Sequence, residues 1–140
     1  MIVLDTNVIS ELIRPTPDPR VLEWLAAQPR SALYTTSINR AELLYGASIL
    51  PAGRRRDGIR AAVTAIFDDE FAEHVLPFDD RAADHYARIV SLRRELGRPI
   101  EGFDALIAAI TAATGYRIAT RDMGGFSDCG IDVINPWQAA

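Results

Sequence analysis

The sequence predicts one α/β domain, residues 1–140, in which a central parallel sheet of about five strands is flanked by helices. Two observations support this fold class. Short apolar runs, typical of buried strands, alternate along the chain with segments whose apolar residues recur at helical spacing. In addition, 49% of the 140 residues are hydrophobic, which is enough for a single domain with its own core.

Five segments are predicted to be strands. They are short apolar runs, several of them rich in β-branched residues, which is typical of strands buried on both faces. Pro77 would interrupt the hydrogen-bonding ladder of the third strand, so that strand is expected at the periphery of the sheet. In chain order the segments are residues 2–4, 32–36, 75–78, 117–120 and 132–134.

Six segments between the first and fourth strands are predicted to be helices. Asp18 and Pro19 suit the N-cap and the first position of the second helix, and Ser37 suits the N-cap of the third. Gly115 marks the end of the last and most apolar helix, because glycine readily adopts the left-handed conformation found there. In chain order the helices are expected at residues 8–13, 18–28, 37–49, 54–71, 79–96 and 103–113.

The composition excludes several classes of protein. No apolar run reaches the ~18 residues of a membrane-spanning helix, and no segment has the pattern of a secretory signal. Cys129 is the only cysteine, so an internal disulfide and a multi-thiolate zinc site are excluded. A reducing, cytoplasmic location is therefore expected. The net charge of −4 argues against a protein that coats nucleic acid.

Four acidic residues stand where strands end and helices begin. Asp5 and Asp122 follow the first and fourth strands, which are neighbours if the strand order is 3-2-1-4-5. Glu42 and Asp104 lie in the first two turns of helices that start from the same edge of the sheet. Ligands of such sheets bind in the crevice at the carboxyl ends of the strands. We therefore expect these four carboxylates to converge.

Convergence predicts a metal-dependent reaction. Clustered carboxylates repel one another, and some would take up protons unless a cation is present. Oxygen ligands suit Mg²⁺ or Mn²⁺ rather than zinc. Such an ion lowers the pKa of bound water and holds a phosphate oxygen, so hydrolysis of a phosphodiester is the chemistry expected. Thr6 and Thr120 are hydroxyl residues next to these acids and are expected to cap helices or orient the carboxylates.

Each acid also has a structural explanation when it is considered alone. Asp5 suits the N-cap of the first helix, and Asp104 would interact favourably with the dipole at a helix start. Asp122 is typical of a turn before two glycines, and Glu42 is an ordinary helix residue. The placement of all four at one edge of the sheet favours a site over these separate explanations.

Four motifs occur in order along the chain: Leu4-Asp5-Thr6-Asn7, Ala41-Glu42-Leu43, Asp104-Ala105-Leu106 and Thr120-Arg121-Asp122. This ordered set resembles the PIN-domain ribonuclease toxins, and Asn135-Pro136-Trp137 near the end is similar to the VapC/FitB type of that family. The resemblance covers essentially the whole chain. It implies a PIN-like three-layer fold and an Mg²⁺- or Mn²⁺-dependent endoribonuclease that is the toxin of a type II toxin–antitoxin pair.

The resemblance also implies roles for individual residues and partners. It carries metal binding and catalysis over to Asp5, Glu42, Asp104 and Asp122. The polar residue beside the first acid corresponds to Thr6 or Asn7. Many members have Asn at the position of Asp122 and an acid three residues later, where this chain has Gly125. The partners implied are RNA, a small DNA-binding antitoxin, operator DNA through that antitoxin, and a second copy of the chain in a homodimer.

Two surfaces are predicted to contact these partners. All 15 basic residues are arginine, whose planar group suits phosphate. Arg93, Arg94 and Arg98 lead into the loop before Asp104 and are predicted to bind RNA backbone, although such clusters are also typical of solvated helix faces. The antitoxin is predicted to dock between the first two helices, around residues Leu12, Ile13 and Leu25.

Two other functions compete with the ribonuclease. A PIN module that cuts poorly and acts through the antitoxin–DNA complex would keep the same fold. The four acids argue against it, because buried carboxylates without a cation lower stability. A phosphotransfer enzyme built on Asp5 usually has a second aspartate two residues later, where this chain has Asn7.

Overall fold

The computed structural model describes residues 1–138, whose centre is a five-stranded parallel sheet in the order β3-β2-β1-β4-β5. This order is the one predicted. The strands are β1 (Ile2–Leu4), β2 (Leu33–Thr36), β3 (Val75–Leu76), β4 (Arg117–Ala119) and β5 (Val133–Ile134). β1 lies in the middle, where Ile2 pairs with Leu33 on one side and with Arg117 on the other.

Six α-helices of the described part of the chain flank the sheet. They are α1 (Thr6–Ile13), α2 (Pro19–Ala26), α3 (Ser37–Ser48), α4 (Arg54–Ala65), α5 (Asp80–Glu95) and α6 (Gly102–Thr114). Short 3₁₀ turns at Arg30–Ala32 and Gly124–Phe126 and a π-helical turn at Ile66–Glu70 complete the helical structure. Within residues 1–138, no helix is long and apolar enough to cross a membrane.

The helix ends test the predicted caps. Asp18 caps α2 by accepting a hydrogen bond from the Arg20 N–H, and Gly115 ends α6 with φ 74°, both as predicted. The prediction for Ser37 is wrong, because Thr36 is the N-cap of α3 and its hydroxyl accepts from the Asn39 N–H. Thr36 and Asn39 form a reciprocal capping box, which stabilises this helix start by giving the Thr36 and Asn39 backbone N–H groups an acceptor.

Buried apolar clusters pack the strands against the helices. One contains Ile2 and Leu4 of β1 with Phe67, and another contains Ile118 of β4 with Ile107 of α6. Burying such a side chain contributes about 1.5–3 kcal/mol, so the central strands are held firmly between the helical layers. The polar residues that follow β1 and β4 therefore project from a rigid base.

Candidate active site

A cavity of about 360 Å³ opens at the carboxyl end of β1. All four acids predicted to converge line it: Asp5, Glu42, Asp104 and Asp122. The topology explains why, because β1 and β4 end side by side and α1, α3 and α6 start at the same edge. Glu11, Arg14 and Arg121 also line this cavity, which we call the acidic cavity.

Asp5 is held most tightly of the four acids. It is 4% exposed, and its Oδ1 accepts a hydrogen bond of 2.8 Å from the Thr6 backbone N–H. Its Oδ2 accepts one of 2.8 Å from the Thr120 hydroxyl, and Asn39 Nδ2 lies 3.3 Å from Oδ1. Asp5 therefore caps α1 and lines the acidic cavity at once, so the two explanations offered for it are compatible.

Thr6 connects Asp5 to Glu42. Its hydroxyl donates a short hydrogen bond to Glu42 Oε1 and accepts one of 3.0 Å from Asn39 Nδ2. Asn39 is fully buried and touches both Asp5 and Thr6, so it fixes the spacing between the first two acids. Sequence reasoning missed Asn39, although the pattern Thr36-x-x-Asn39 directly after a strand is a capping signal that could have drawn attention to it.

Asn7 and Thr120 connect the other side of Asp5 to the segment after β4. Asn7 Nδ2 donates to the Thr120 hydroxyl at 3.1 Å, and the Asn7 Oδ1 accepts from the Arg121 N–H at 3.2 Å. The Thr120 hydroxyl also accepts from the Asp122 N–H at 3.1 Å. Thr6, Asn7 and Thr120 thus contact the acids or the segments that carry them. Such contacts are what residues that orient the carboxylates must make.

Burial and the neighbouring charges raise the pKa of two of the acids, Asp5 and Asp104. Burial raises the pKa of Asp5, and the negative charge of Glu42 raises it further. Hydrogen bonds from the Thr120 hydroxyl and the Thr6 N–H act in the opposite direction and lower this pKa. Burial also raises the pKa of Asp104, and the charges of Asp5 and Asp122 raise it further. Negative charge at this edge of the sheet is therefore costly, and a cation in the cavity would relieve it.

The donor chemistry fits a hydrated hard cation. Among residues 1–138, no three His, Cys, Asp or Glu side chains are grouped closely enough to hold a metal ion together. The acids are instead spread along an open cavity. Mg²⁺ usually keeps several of its waters and is held by one or two carboxylates together with substrate phosphates, so these acids, which offer only oxygen ligands, suit Mg²⁺ or Mn²⁺.

Arg93 is buried, which does not fit the prediction that it binds RNA. It is 5% exposed, and its guanidinium group donates to the carbonyl oxygens of Arg98, Gly125 and Ser127 at 2.6, 3.0 and 3.0 Å. Arg93 therefore holds two loops together and is not free to bind a phosphate. The arginine side chain is long enough to reach these loops from α5. The sequence alone does not show that the loops fold back onto this helix.

For Arg94 and Arg98, RNA binding stays a prediction. Arg98 pairs with Asp128 on the surface, and Arg94 is exposed. The arginines that line the acidic cavity are Arg14, paired with Glu11 at 3.2 Å, and Arg121. The Arg121 guanidinium lies 4.9 Å from the centre of the buried Trp137 ring, a distance suited to a cation–π contact. Sequence reasoning did not identify either residue.

Two apolar grooves lie near the predicted antitoxin surface. Leu12 and Leu25 line a groove of about 430 Å³ between α1 and α2. Ile13, which was predicted to lie with them, lines a separate groove of about 510 Å³ between α1, α3 and α4. This larger groove shares Thr6, Ser10, Arg14 and Glu42 with the acidic cavity. An extended ligand in it would therefore reach the acids.

The fold agrees with comparisons to known proteins. The family model described as PIN domain matches residues 2–130. The VapC ribonuclease Y4jK of Sinorhizobium fredii is 43% identical over 140 residues, which is 100% of both chains. The toxin FitB of Neisseria gonorrhoeae is 38% identical over 138 residues, 99% of both chains.

A solved structure, described as FitAB bound to an IR36 DNA fragment, superposes with a TM-score of 0.91 at 36% identity. The match covers 100% of this chain and 98% of that one. This chain belongs to the PIN-domain family, and within it the chain is of the VapC/FitB type. The resemblance found in the four motifs is therefore confirmed.

Proposed function

We propose that this protein is an Mg²⁺- or Mn²⁺-dependent endoribonuclease and the toxin of a type II toxin–antitoxin pair. The observation that carries the proposal is the acidic cavity, where four carboxylates from separate parts of the chain line one opening at the end of the central strand. The similarity to a relative named a VapC ribonuclease and to one named toxin FitB supports the same assignment.

Asp5, Glu42, Asp104 and Asp122 are the residues proposed to hold the hydrated ion, one or two of them directly and the others through its waters. When bound, it would supply a water of lowered pKa and positive charge for the phosphate at the cleavage site. Asp5 is fixed by its hydrogen bonds to Thr6 and Thr120, so its carboxylate loses little freedom when an ion arrives. Asp104 is half-buried at the start of α6 and faces the charges of Asp5 and Asp122.

The cations on the rim are suited to the RNA backbone. The Arg121 guanidinium lies over the Trp137 ring, a contact that holds it at the cavity, next to Asp122. A positioned guanidinium group binds a phosphate by charge-assisted hydrogen bonds. We propose that Arg121, and not Arg93, contacts a phosphate close to the acids.

Cleavage of a defined panel of RNAs in Mg²⁺, Mn²⁺ or EDTA tests whether the protein is a metal-dependent ribonuclease. We expect cleavage with either ion and none in EDTA, and Asp104→Asn should lose it. Glu101→Gln is the matched control, because Glu101 is an exposed acid at the start of the same helix and makes no capping hydrogen bond with its side chain. Equal rates in EDTA and Mg²⁺, or a fully active Asp104→Asn, would refute the proposal.

The partner is proposed to be a small DNA-binding antitoxin, with operator DNA bound through it. The structural relative in complex, FitAB with DNA, supports this partner. Such an inhibitor must cover a negatively charged cavity, and an arginine from it could pair with the carboxylates in place of a metal. Its apolar residues would fit the groove that adjoins the acidic cavity. A cytoplasmic location and a homodimer belong to the same proposal.

Co-expression with the product of the neighbouring reading frame tests the partner. We expect the two chains to co-purify, the complex to bind promoter DNA, and its RNA cleavage to be suppressed until the partner is removed. Light scattering on the purified toxin measures whether it is a dimer. A pair that does not associate, or a complex that cuts as fast as the free protein, would indicate a nuclease without this inhibitor.

A further inference from the structure

Asp122 occupies the space into which a side chain at position 125 would extend. Its Oδ1 accepts a hydrogen bond of 3.0 Å from the Gly125 N–H. A Cβ on residue 125 would lie 2.8 Å from Asp122 Cγ and closer still to Oδ2. Separations below 3.0 Å are essentially never seen for a real Cβ. The present position of the Asp122 carboxylate therefore requires glycine at 125.

We propose that Gly125 is a positioning residue, whose missing side chain lets the Asp122 carboxylate fold onto the turn and line the acidic cavity. This inference rests on the proposed function, since it gives a reason for the placement of one proposed metal ligand. It also assigns a role to a glycine that the motifs themselves do not explain.

The backbone of Gly125 does not require glycine for its own conformation. It is not among the glycines with positive φ, so alanine could adopt the same backbone. Its N–H would also remain available as a donor after replacement by alanine. The conflict is confined to the Asp122 carboxylate, which is the end of a rotatable side chain. Rotation of Asp122 is therefore the easiest way to relieve the overlap, and the fold need not change.

Gly124 provides a matched control in the same turn. It too lies in the 3₁₀ turn Gly124–Phe126 and has no positive φ, but a Cβ built on it meets nothing within 4 Å. Gly124→Ala and Gly125→Ala therefore make the same chemical change one residue apart. The two variants should differ only through contact with Asp122.

The experiment compares both variants with the parent in two measurements made without RNA. Crystal structures report the position of the Asp122 carboxylate, and electron paramagnetic resonance titration reports Mn²⁺ affinity. We expect Gly125→Ala to melt no lower than Gly124→Ala, to show Asp122 rotated away from the turn, and to bind Mn²⁺ ~10–100-fold more weakly. Gly124→Ala should match the parent in both measurements.

A double variant separates an effect through Asp122 from any other effect. If Gly125 acts through that carboxylate, adding Gly125→Ala to Asp122→Ala should cause no further loss of Mn²⁺ affinity. An unmoved Asp122, or a moved Asp122 with unchanged Mn²⁺ affinity, overturns the inference. If the parent binds no Mn²⁺, the proposed metal site fails, and the structure of Gly125→Ala still decides whether residue 125 sets the carboxylate.

Discussion

Replacing Arg93 by glutamine tests its structural role. Its guanidinium donates to three carbonyl oxygens, and the shorter glutamine side chain, with two amide N–H groups, is expected to keep only one of these hydrogen bonds. Hydrogen bonds from a charged donor contribute about 1.5–3 kcal/mol each, so losing two would lower stability by about 3–6 kcal/mol without relaxation. We expect about 3 kcal/mol after the loop carbonyls find water. At about 3 °C per kcal/mol for a domain of this size, the melting temperature should fall by about 10 °C.

Arg94→Gln is the control for this measurement. Arg94 is next in sequence but exposed, so its replacement should change stability by less than about 0.5 kcal/mol. Thermal and urea unfolding, followed by circular dichroism, compare the two variants with the parent. If Arg93→Gln unfolds like Arg94→Gln while RNA binding loses salt dependence, Arg93 is a phosphate ligand and the structural account of it is incorrect.

Three further predictions concern the acidic cavity. The pKa of Asp104 is raised above 3.8 in the folded protein, so folding favours the protonated carboxyl. The stability that this group contributes is therefore fully present below pH 3.8 and is lost as pH rises through the folded pKa. In urea unfolding of the metal-free protein, Asp104→Asn should lose less stability than the parent as pH rises above 3.8. The same pH profile in both proteins would argue against a raised pKa at Asp104. Saturating Mn²⁺ should stabilise the parent, by about 2.7 kcal/mol at a hundredfold excess over Kd, and thermal melts that coincide at all concentrations would exclude a bound ion. Thr120→Val should lower stability by about 1–3 kcal/mol, because Asp5 loses one donor and Asn7 loses its acceptor; melting temperature measures this, and an unchanged value would mean that the hydroxyl is not holding the acids.

The sheet could be predicted from the sequence because its strands are short apolar runs with polar ends. Periodicity located the helices but not all of their ends. Thr36 and Ser37 are both good N-cap residues, and only the hydrogen bond from Asn39 distinguishes them. The predicted helix over residues 54–71 ends in a π-helical turn at Ile66–Glu70, a change of winding that apolar spacing does not encode.

The acids of the site could be predicted because topology alone brings strand ends and helix starts to one edge. The groups that hold and surround them depend on tertiary contacts. Asn39 reaches Asp5 from α3, and Arg121 lies over Trp137, which comes after β5. Arg93 was predicted to bind RNA because it leads, with Arg94 and Arg98, into the loop before Asp104. Its burial depends on loops that are distant in sequence.

The central claim is that the four acids act as one metal-dependent unit, and a double-mutant cycle on the cleavage rate tests it most directly. Asp5→Asn and Asp104→Asn are made singly and together, and the Mg²⁺-dependent cleavage rate of one RNA is measured for each. Groups that act as a unit are strongly non-additive. We predict that each single variant loses about 100-fold or more and that the double variant is no slower than the slower single. Losses that multiply in the double variant, or a single variant that cuts at the parent rate, would contradict a shared site.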